Sequence, residues 1–491
     1  MEDGLLLWIL LLLPAVGAGI CLIPRSPRAV LRVVCVVVLV TAIAAFAAVA
    51  AVLRGSGISA ASGWLFLDDL SAYHLSVLMI VYVLSSFFSV GYFRPTDSHF
   101  TPYFARRFGA LWLGALWSMI LVFVSNNVGI MWVGIEATTL ITAFLICIPV
   151  SPASLEAMWK SLIMCSVGVA FAFIGTLMVA AAAAPAHIHP SDTMLWTVLR
   201  LNAEQLDPRL MKAGFLFLVV GYGTKTGLAP MHNWLPDAHS QAPAPVSAVF
   251  SGILLNAAFY CILRYMPIME VVTGYSGWGR EIFIFFGLVS IFVAGAFIIF
   301  QRDAKRMLAY SSVEHMGIIA LGVGVGGLGA SAALFHMLNH SLAKPIAFFS
   351  AGRLGQIYGS NDMNRMEGAF SASRLWGGAF FLSVMALIGV APFAIFMSEF
   401  QIVRVSLWTG HSIVAALFFV GIAVVFVGVL RNITKVVWGA SPLDRAVAEP
   451  TFLERLVVFL PMAALLILGL WMPFGLWRFI ERAAAIVGGG I

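Results

Sequence analysis

The sequence predicts an all-α polytopic membrane protein of about 14 transmembrane helices, and three observations carry that prediction. Hydrophobic residues fill 61% of the 491 positions and charged residues 10%, where a soluble domain shows roughly half and a quarter. Apolar runs of about 20 residues recur along the whole chain, each long enough to cross the hydrocarbon layer. The polar breaks between the runs carry basic residues unevenly, in the pattern of alternating membrane sides. None of these breaks is long enough to hold a separate soluble domain.

In order, the runs are Leu5–Ile23, Ala29–Leu53, Ala72–Phe93, Gly109–Val124, Val128–Ile148, Met158–Ala183 and Met211–Ala229. Pro243–Met266, Glu281–Phe300, Met307–Val325, Ala330–Ile357, Leu375–Phe396, Ser412–Ile433 and Leu453–Trp471 follow. Acidic Glu2 and Asp3 precede the first run where a cleaved leader would carry basic residues, so that run is expected to be retained as a helix. Residues 1–108 read as an N-terminal three-helix segment, 109–266 and 281–433 as two five-helix units, and 434–491 as the last span with its tail.

Arg25, Arg28, Arg32, Arg106, Arg107, Lys160, Lys305, Arg306 and Arg353 fall on one side, which holds about twice the basic residues of the other. That side is expected to face the cytoplasm of a prokaryotic inner membrane, and an even number of spans then leaves both termini outside. The net charge of +6 is therefore a loop property rather than a nucleic-acid signal. Cys21, Cys35, Cys147, Cys165 and Cys261 stand singly in apolar stretches, with no spacing for an iron–sulfur or zinc site. Phosphate loop, dinucleotide fingerprint and HExxH are all lacking, so no cofactor is expected in this chain and any electron transfer belongs to another subunit.

Few charges remain inside the spans: Glu136, Lys225, Lys344 and Glu399, with Arg264 at a helix end. Each central charge costs about 2.5–3.5 kcal/mol on an insertion scale, so either they pair for structure or they form a route for a proton or ion. Lys225 sits in GYGTKTGLAPMHNWLPDAHSQAPAPVSA, where Gly227 and Pro230 break the helix and a polar interlude follows. That interlude contains Asp237 and His239. Unpaired backbone in hydrocarbon is tolerated only inside protein or beside a wet cavity, so a lysine at such a break reads as a transport site. The bland alternative is a lysine snorkelling from a helix end. Glu136, midway along an apolar helix, is its expected partner, either as an adjustable charge pair or as a static one.

His336, His340 and Lys344 recur at intervals of four, which places them on one helix face over roughly 12 Å. A histidine can pass a proton between its two nitrogens, so three such groups in register favour a relay. Metal binding by His336 and His340 is not expected, because no carboxylate or third histidine is evident beside them and Lys344 would repel the ion. ALIGVAPFAIFMSEFQIV repeats the first break, with Gly389 and Pro392 interrupting a span and Glu399 following. Two broken helices, each tied to a charge, mark a transporter built of two related five-helix halves. In QRDAKRMLAYSSVEHMGIIALG, Glu314 and His315 either extend the polar line toward the cytoplasm or pair with Lys305 and Arg306.

IEATTL around Glu136, KTGLAPMHNWLPDAHSQAPAPVSA, KRMLAYSSVEHMG and HMLNHSLAKPIAFFSAG together resemble the antiporter-like subunits of complex I and of group 4 hydrogenase membrane arms, above all the hydrogenase 4 component F type. The resemblance implies 14 helices, two inverted five-helix repeats and discontinuous seventh and twelfth helices. It implies a proton pathway over Glu136, Lys225, His336, His340, Lys344 and Glu399, with Asp237, His239, Asn256, Glu314 and His315 as an accessory set. It further implies a redox-driven proton pump in which iron–sulfur clusters and NiFe or quinone sites lie on partner subunits only. The partners would be other membrane-arm subunits and a peripheral redox arm, in a lipid bilayer, with protons or sodium as the moving ion. Cation–proton antiporter and inorganic-carbon-uptake complexes use the same fold without a redox partner. Two departures stand out. Ser251 and Asn256 occupy the region where many relatives carry a lysine or histidine, and too few residues follow the fourteenth span for a long lateral helix.

Overall fold

The computed structural model describes residues 2–55, 57–93, 100–439 and 448–488. Among them α1 (Glu2–Ile20) and α2 (Pro27–Arg54) lead into a short antiparallel ladder, β1 (Ile58–Ala60) on β2 (Leu65–Leu67), with Ile58 opposite Leu67. Next come α3 (Asp69–Tyr92), α4 (Pro102–Val124), α5 (Val128–Ile146), α6 (Pro152–Ala182) and the single-turn α7 (Trp196–Leu201). Side-chain caps set several starts. Asp68, Thr101 and Asn127 accept from first-turn N–H groups that lack a helical partner, and Ser151 closes a reciprocal box with Ser154.

The seventh span is broken as expected: α8 (Pro208–Thr226) stops at Gly227 and α9 (Leu235–Gln241) resumes after the turn. The eighth is α10 (Ala244–Val249), a π turn over Phe250–Leu254, then α11 (Leu255–Val272). Then follow α12 (Trp278–Ile298), α13 (Ala304–Gly324), α14 (Gly329–Tyr358) and the short α15 (Ala369–Ala372). The twelfth span divides into α16 (Arg374–Leu387) and α17 (Ala394–Trp408). The last elements are α18 (Ser412–Val437), α19 (Phe452–Leu470) and α20 (Phe474–Val487).

Both breaks are built alike. Gly227 and Gly389 hold φ of +81° and +71°, a left-handed backbone that only glycine adopts without strain. In each, the glycine N–H returns to the carbonyl three residues back (Thr224 at 3.2 Å, Ala386 at 3.2 Å) and the next N–H reaches five back (Gly223 at 3.0 Å, Met385 at 3.1 Å). This double closure satisfies the carbonyls left open at a helix end. Remaining groups are met by side chains: Ala229 N–H donates to Ser290 Oγ at 2.9 Å and Trp234 Nε1 donates to Thr224 O at 2.8 Å. The broken backbone thus carries its hydrogen bonds inside protein, as hydrocarbon demands.

Among the described residues, ten helices are long and apolar enough to cross a bilayer. The other four spans are α1, the two broken ones and α14, whose polar residues lower its hydropathy. The spans Ala244–Val272 and Ala304–Gly324 are 100% buried in their apolar windows, against 33% for α18 and α19, so the first two form the axis and the last two the lipid-facing rim. α14 runs unbroken from Gly329 to Tyr358 with Pro345 inside it. The tail after the last span forms α20, whose Arg482 hydrogen-bonds Leu53 O at 3.0 Å and pairs with Asp69 at 3.0 Å.

Candidate functional site

Glu136 on α5 and Lys225 at the end of α8 stand on either side of α6. The approach of α6 to α8 is a glycine seam: a Cβ on Gly168 would meet Thr224 at 2.6 Å, and one on Gly221 would meet Gly168 O at 2.6 Å. Toward α5, Ser166 Oγ of α6 donates to Glu136 Oε1 at 3.1 Å, while Glu136 Oε2 has no protein partner. Lys225 is 1% exposed and lies over the Trp234 ring, 5.6 Å from its centroid. The expected Glu136–Lys225 contact pair is not among the ion pairs of the described residues. Ser166 of α6 serves the carboxylate and the Trp234 ring face holds the ammonium.

Asp237 on α9 does not extend this line inward. It pairs with Lys160 of α6 and Arg306 of α13 near the end of both helices. Lys305 donates to the carbonyls of Ser240 (3.0 Å) and Ala242 (2.5 Å). Neither Lys305 nor Arg306 therefore serves Glu314 or His315, which removes the reading in which those four groups simply pair. His239 is fully buried with both ring nitrogens unpartnered and its ring stacked on Phe348 at 4.9 Å.

The axis of the molecule supplies the middle. Ser251, in the π turn, meets Ser312 of α13 at 2.8 Å. Ser312 Oγ (3.0 Å) and Lys344 Nζ (2.8 Å) both donate to Leu308 O. Asn256 Nδ2 donates to Ser341 Oγ at 2.9 Å and to Gly252 O at 3.0 Å. Ser251 and Asn256, the first of the two departures, thus place neutral hydroxyl and amide groups against Ser312 and Ser341.

Beyond Lys344 lies the densest cluster. His315 Nδ1 is 2.9 Å from His336 Nε2, and His336 Nδ1 is 2.9 Å from Ser398 Oγ. Ser398 gives its only proton to Ile395 O at 2.8 Å, so it must accept from His336 Nδ1–H. A neutral His336 then accepts at Nε2 from His315 Nδ1–H, which leaves His315 Nε2 as a bare lone pair. That atom has no protein partner, and neither nitrogen of His340 has one, with the His340 ring 5.0 Å from that of His315. The tautomers thus point one way, from His340 through His315 and His336 to Ser398.

Glu399, the next residue, places its carboxylate within 4.8 Å of ligand atoms of both His315 and His336, against Gly389. The expectation that no third histidine or carboxylate stands near His336 is therefore overturned; α13 and α17 bring both. These three side chains could hold a divalent ion only if His336 gave up one of its two hydrogen bonds, to His315 or to Ser398. His336, His340 and Lys344 do lie on one helix, but their contacts diverge: Lys344 turns to a carbonyl of α13, and the histidines meet His315. Sequence reasoning ranked His315 as accessory and missed Ser398; the SSVEHMG stretch held the only signal for the first.

Residues 125–426 match the family described as NADH:quinone oxidoreductase/Mrp antiporter, TM. The chain is 37% identical over 367 residues to the hydrogenase-4 component F homolog of Methylacidiphilum infernorum (isolate V4), covering 74% of this chain and 76% of that protein. In fold it is similar to a chain of the membrane-bound sulfane sulfur reductase, an archaeal respiratory membrane complex, with TM-score 0.87 and 22% identity over 98% of this chain and 97% of that one. It is similar also to a chain of the Mrp complex from Dietzia sp. DQ12-45-1b, with TM-score 0.85 and 20% identity over 99% and 98%. Helical architecture, paired helix breaks and sequence agree: the chain belongs to the NADH:quinone oxidoreductase/Mrp antiporter transmembrane family.

Proposed function

We propose that this chain is a proton-translocating membrane-arm subunit of a redox-driven complex of the hydrogenase 4 and complex I type, in a prokaryotic inner membrane with both termini outside. The observation that carries the reading is the directed imidazole chain His315–His336–Ser398, at 2.9 Å per link and sealed from solvent. Hydrogen-bonded imidazoles move a proton by accepting at one nitrogen and releasing at the other. Structural packing alone gives no reason to leave His315 Nε2 and both His340 nitrogens without protein partners.

In this reading Lys225 and Glu136 sense the state of the neighbouring part of the complex. The interaction of two buried charges falls with their separation, so a change in that separation shifts proton affinity farther along the line. Ser251, Ser312 and Lys344 link that sensor to His340, and Glu399 releases the proton outward. Partner subunits hold the electron carriers. The likeness to a hydrogenase-4 component supports the redox partner over the carrier-only alternatives. The test is proton uptake by proteoliposomes holding the intact complex. Lys225→Ala and His315→Gln are each expected to lower pumping at least about tenfold while electron transfer continues; undiminished pumping in Lys225→Ala would remove the proposal.

A further inference from the structure

Glu399 has a second face. One side of its carboxylate meets the histidines; the other lines a cavity of about 340 Å³ between α16, α17 and α18. Its walls are aromatic, with Phe396, Phe400, Phe418 and Phe419, and Glu399 is the only charged residue among them. Phe400 and Phe419 are more than half exposed, so the cavity opens to the side of the bundle rather than to either end. No hydrogen bond from the described residues reaches the Glu399 oxygens, and they are not sealed in the way Glu314 Oε2 is. A carboxylate bordered by hydrocarbon and ring faces has an obvious complement: a cation with an apolar body.

We propose that this cavity is a binding site for lipophilic primary or secondary amines that arrive by partition through the bilayer. The ammonium would lie against Glu399, with two N–H groups to its oxygens, and the apolar body would fill the space between the phenylalanines. A neighbouring ring face adds attraction for the cation, and the apolar walls lower the local dielectric and strengthen the ion pair. Size, an apolar wall and one anchoring polar group match what small-molecule sites require. The consequence for transport rests on the proton reading above: an amine seated here would hold Glu399 ionised and stop it from receiving the proton. Occupancy itself does not depend on that reading.

Photolabelling of the full chain in liposomes with 4-azidobenzylamine, mapped by mass spectrometry, tests the site, with 4-azidotoluene as the uncharged comparison. The amine is expected to label α17 and α18 about tenfold more than the neutral probe. Glu399→Gln should bring the two probes level. Ala423→Phe, at an exposed position on the cavity wall, should abolish labelling by filling the space without touching the charge. Equal labelling by both probes in the unaltered chain, or full amine labelling in Glu399→Gln, would overturn the proposal. Because labelling reads occupancy and not pumping, that failure would leave the proton route standing, to be judged by Lys225→Ala.

Discussion

The pair Asp68–Arg264 allows a stability prediction to be worked from contacts. Arg264 on α11 gives Nη1 (2.5 Å) and Nη2 (2.8 Å) to the two Asp68 oxygens, with side chains only 4% and 10% exposed. Its Nε donates to Tyr260 OH at 2.7 Å, its second Nη also reaches Ser71 Oγ, and its guanidinium lies 4.5 Å from the Trp196 ring centroid. Asp68 in addition caps α3 by accepting from Ser71 N at 2.9 Å. Asp68→Asn keeps a cap acceptor but leaves the guanidinium buried without a counter-charge, an expected loss of about 3–5 kcal/mol. Asp68→Ala removes the cap as well, for about 1 kcal/mol more. The double variant Asp68→Asn, Arg264→Met removes the stranded charge and is expected to recover most of the loss, since replacing both partners is often neutral. Unfolding of the detergent-solubilised chain by added dodecyl sulfate reads all three. If Asp68→Asn is as stable as the unaltered chain, or the double variant no better than the single, the buried pair is not what ties α3 to α11.

Other consequences can be checked in the same preparations. Gly221→Val drives a side chain into the Gly168 carbonyl, so it is expected to lower stability by about 1–3 kcal/mol and to slow pumping by displacing Lys225; an unchanged transition would refute the seam. Ser398→Ala strands the His336 Nδ1 donor, an expected loss of about 1–3 kcal/mol with slower proton transfer, and Ser398→Thr should restore both. Asp237 pairs with both Lys160 and Arg306, so Asp237→Asn is expected to be less stable than the unaltered chain, and an unchanged transition would refute the pairing.

The helices were legible because hydrocarbon leaves few choices: long apolar runs and Gly–Pro interruptions mark spans and breaks directly. The small ladder at Ile58–Leu67 was not, since three-residue strands have too little alternation to stand out. Nor was α20, where Arg478, Glu481 and Arg482 dilute an apolar face that only a helical period reveals. At the site, intervals of four identified His336, His340 and Lys344 because they share one helix. His315 lies on the antiparallel neighbour, and Ser398 carries no charge to draw attention. Sequence separation hides what two facing helices bring together. The partners that Glu136 and Lys225 touch, Ser166 and Trp234, were not legible either, since neither carries a charge.

The clasp formed by Arg482 has a bearing on how the protein is made. Asp69 and the Leu53 carbonyl are made about 400 residues before the cation that serves them. Until then the second and third helices must be held by neighbours alone. A premature stop before Arg482 would release a chain whose opening helices had never been locked, and membrane quality control would meet that weakness first.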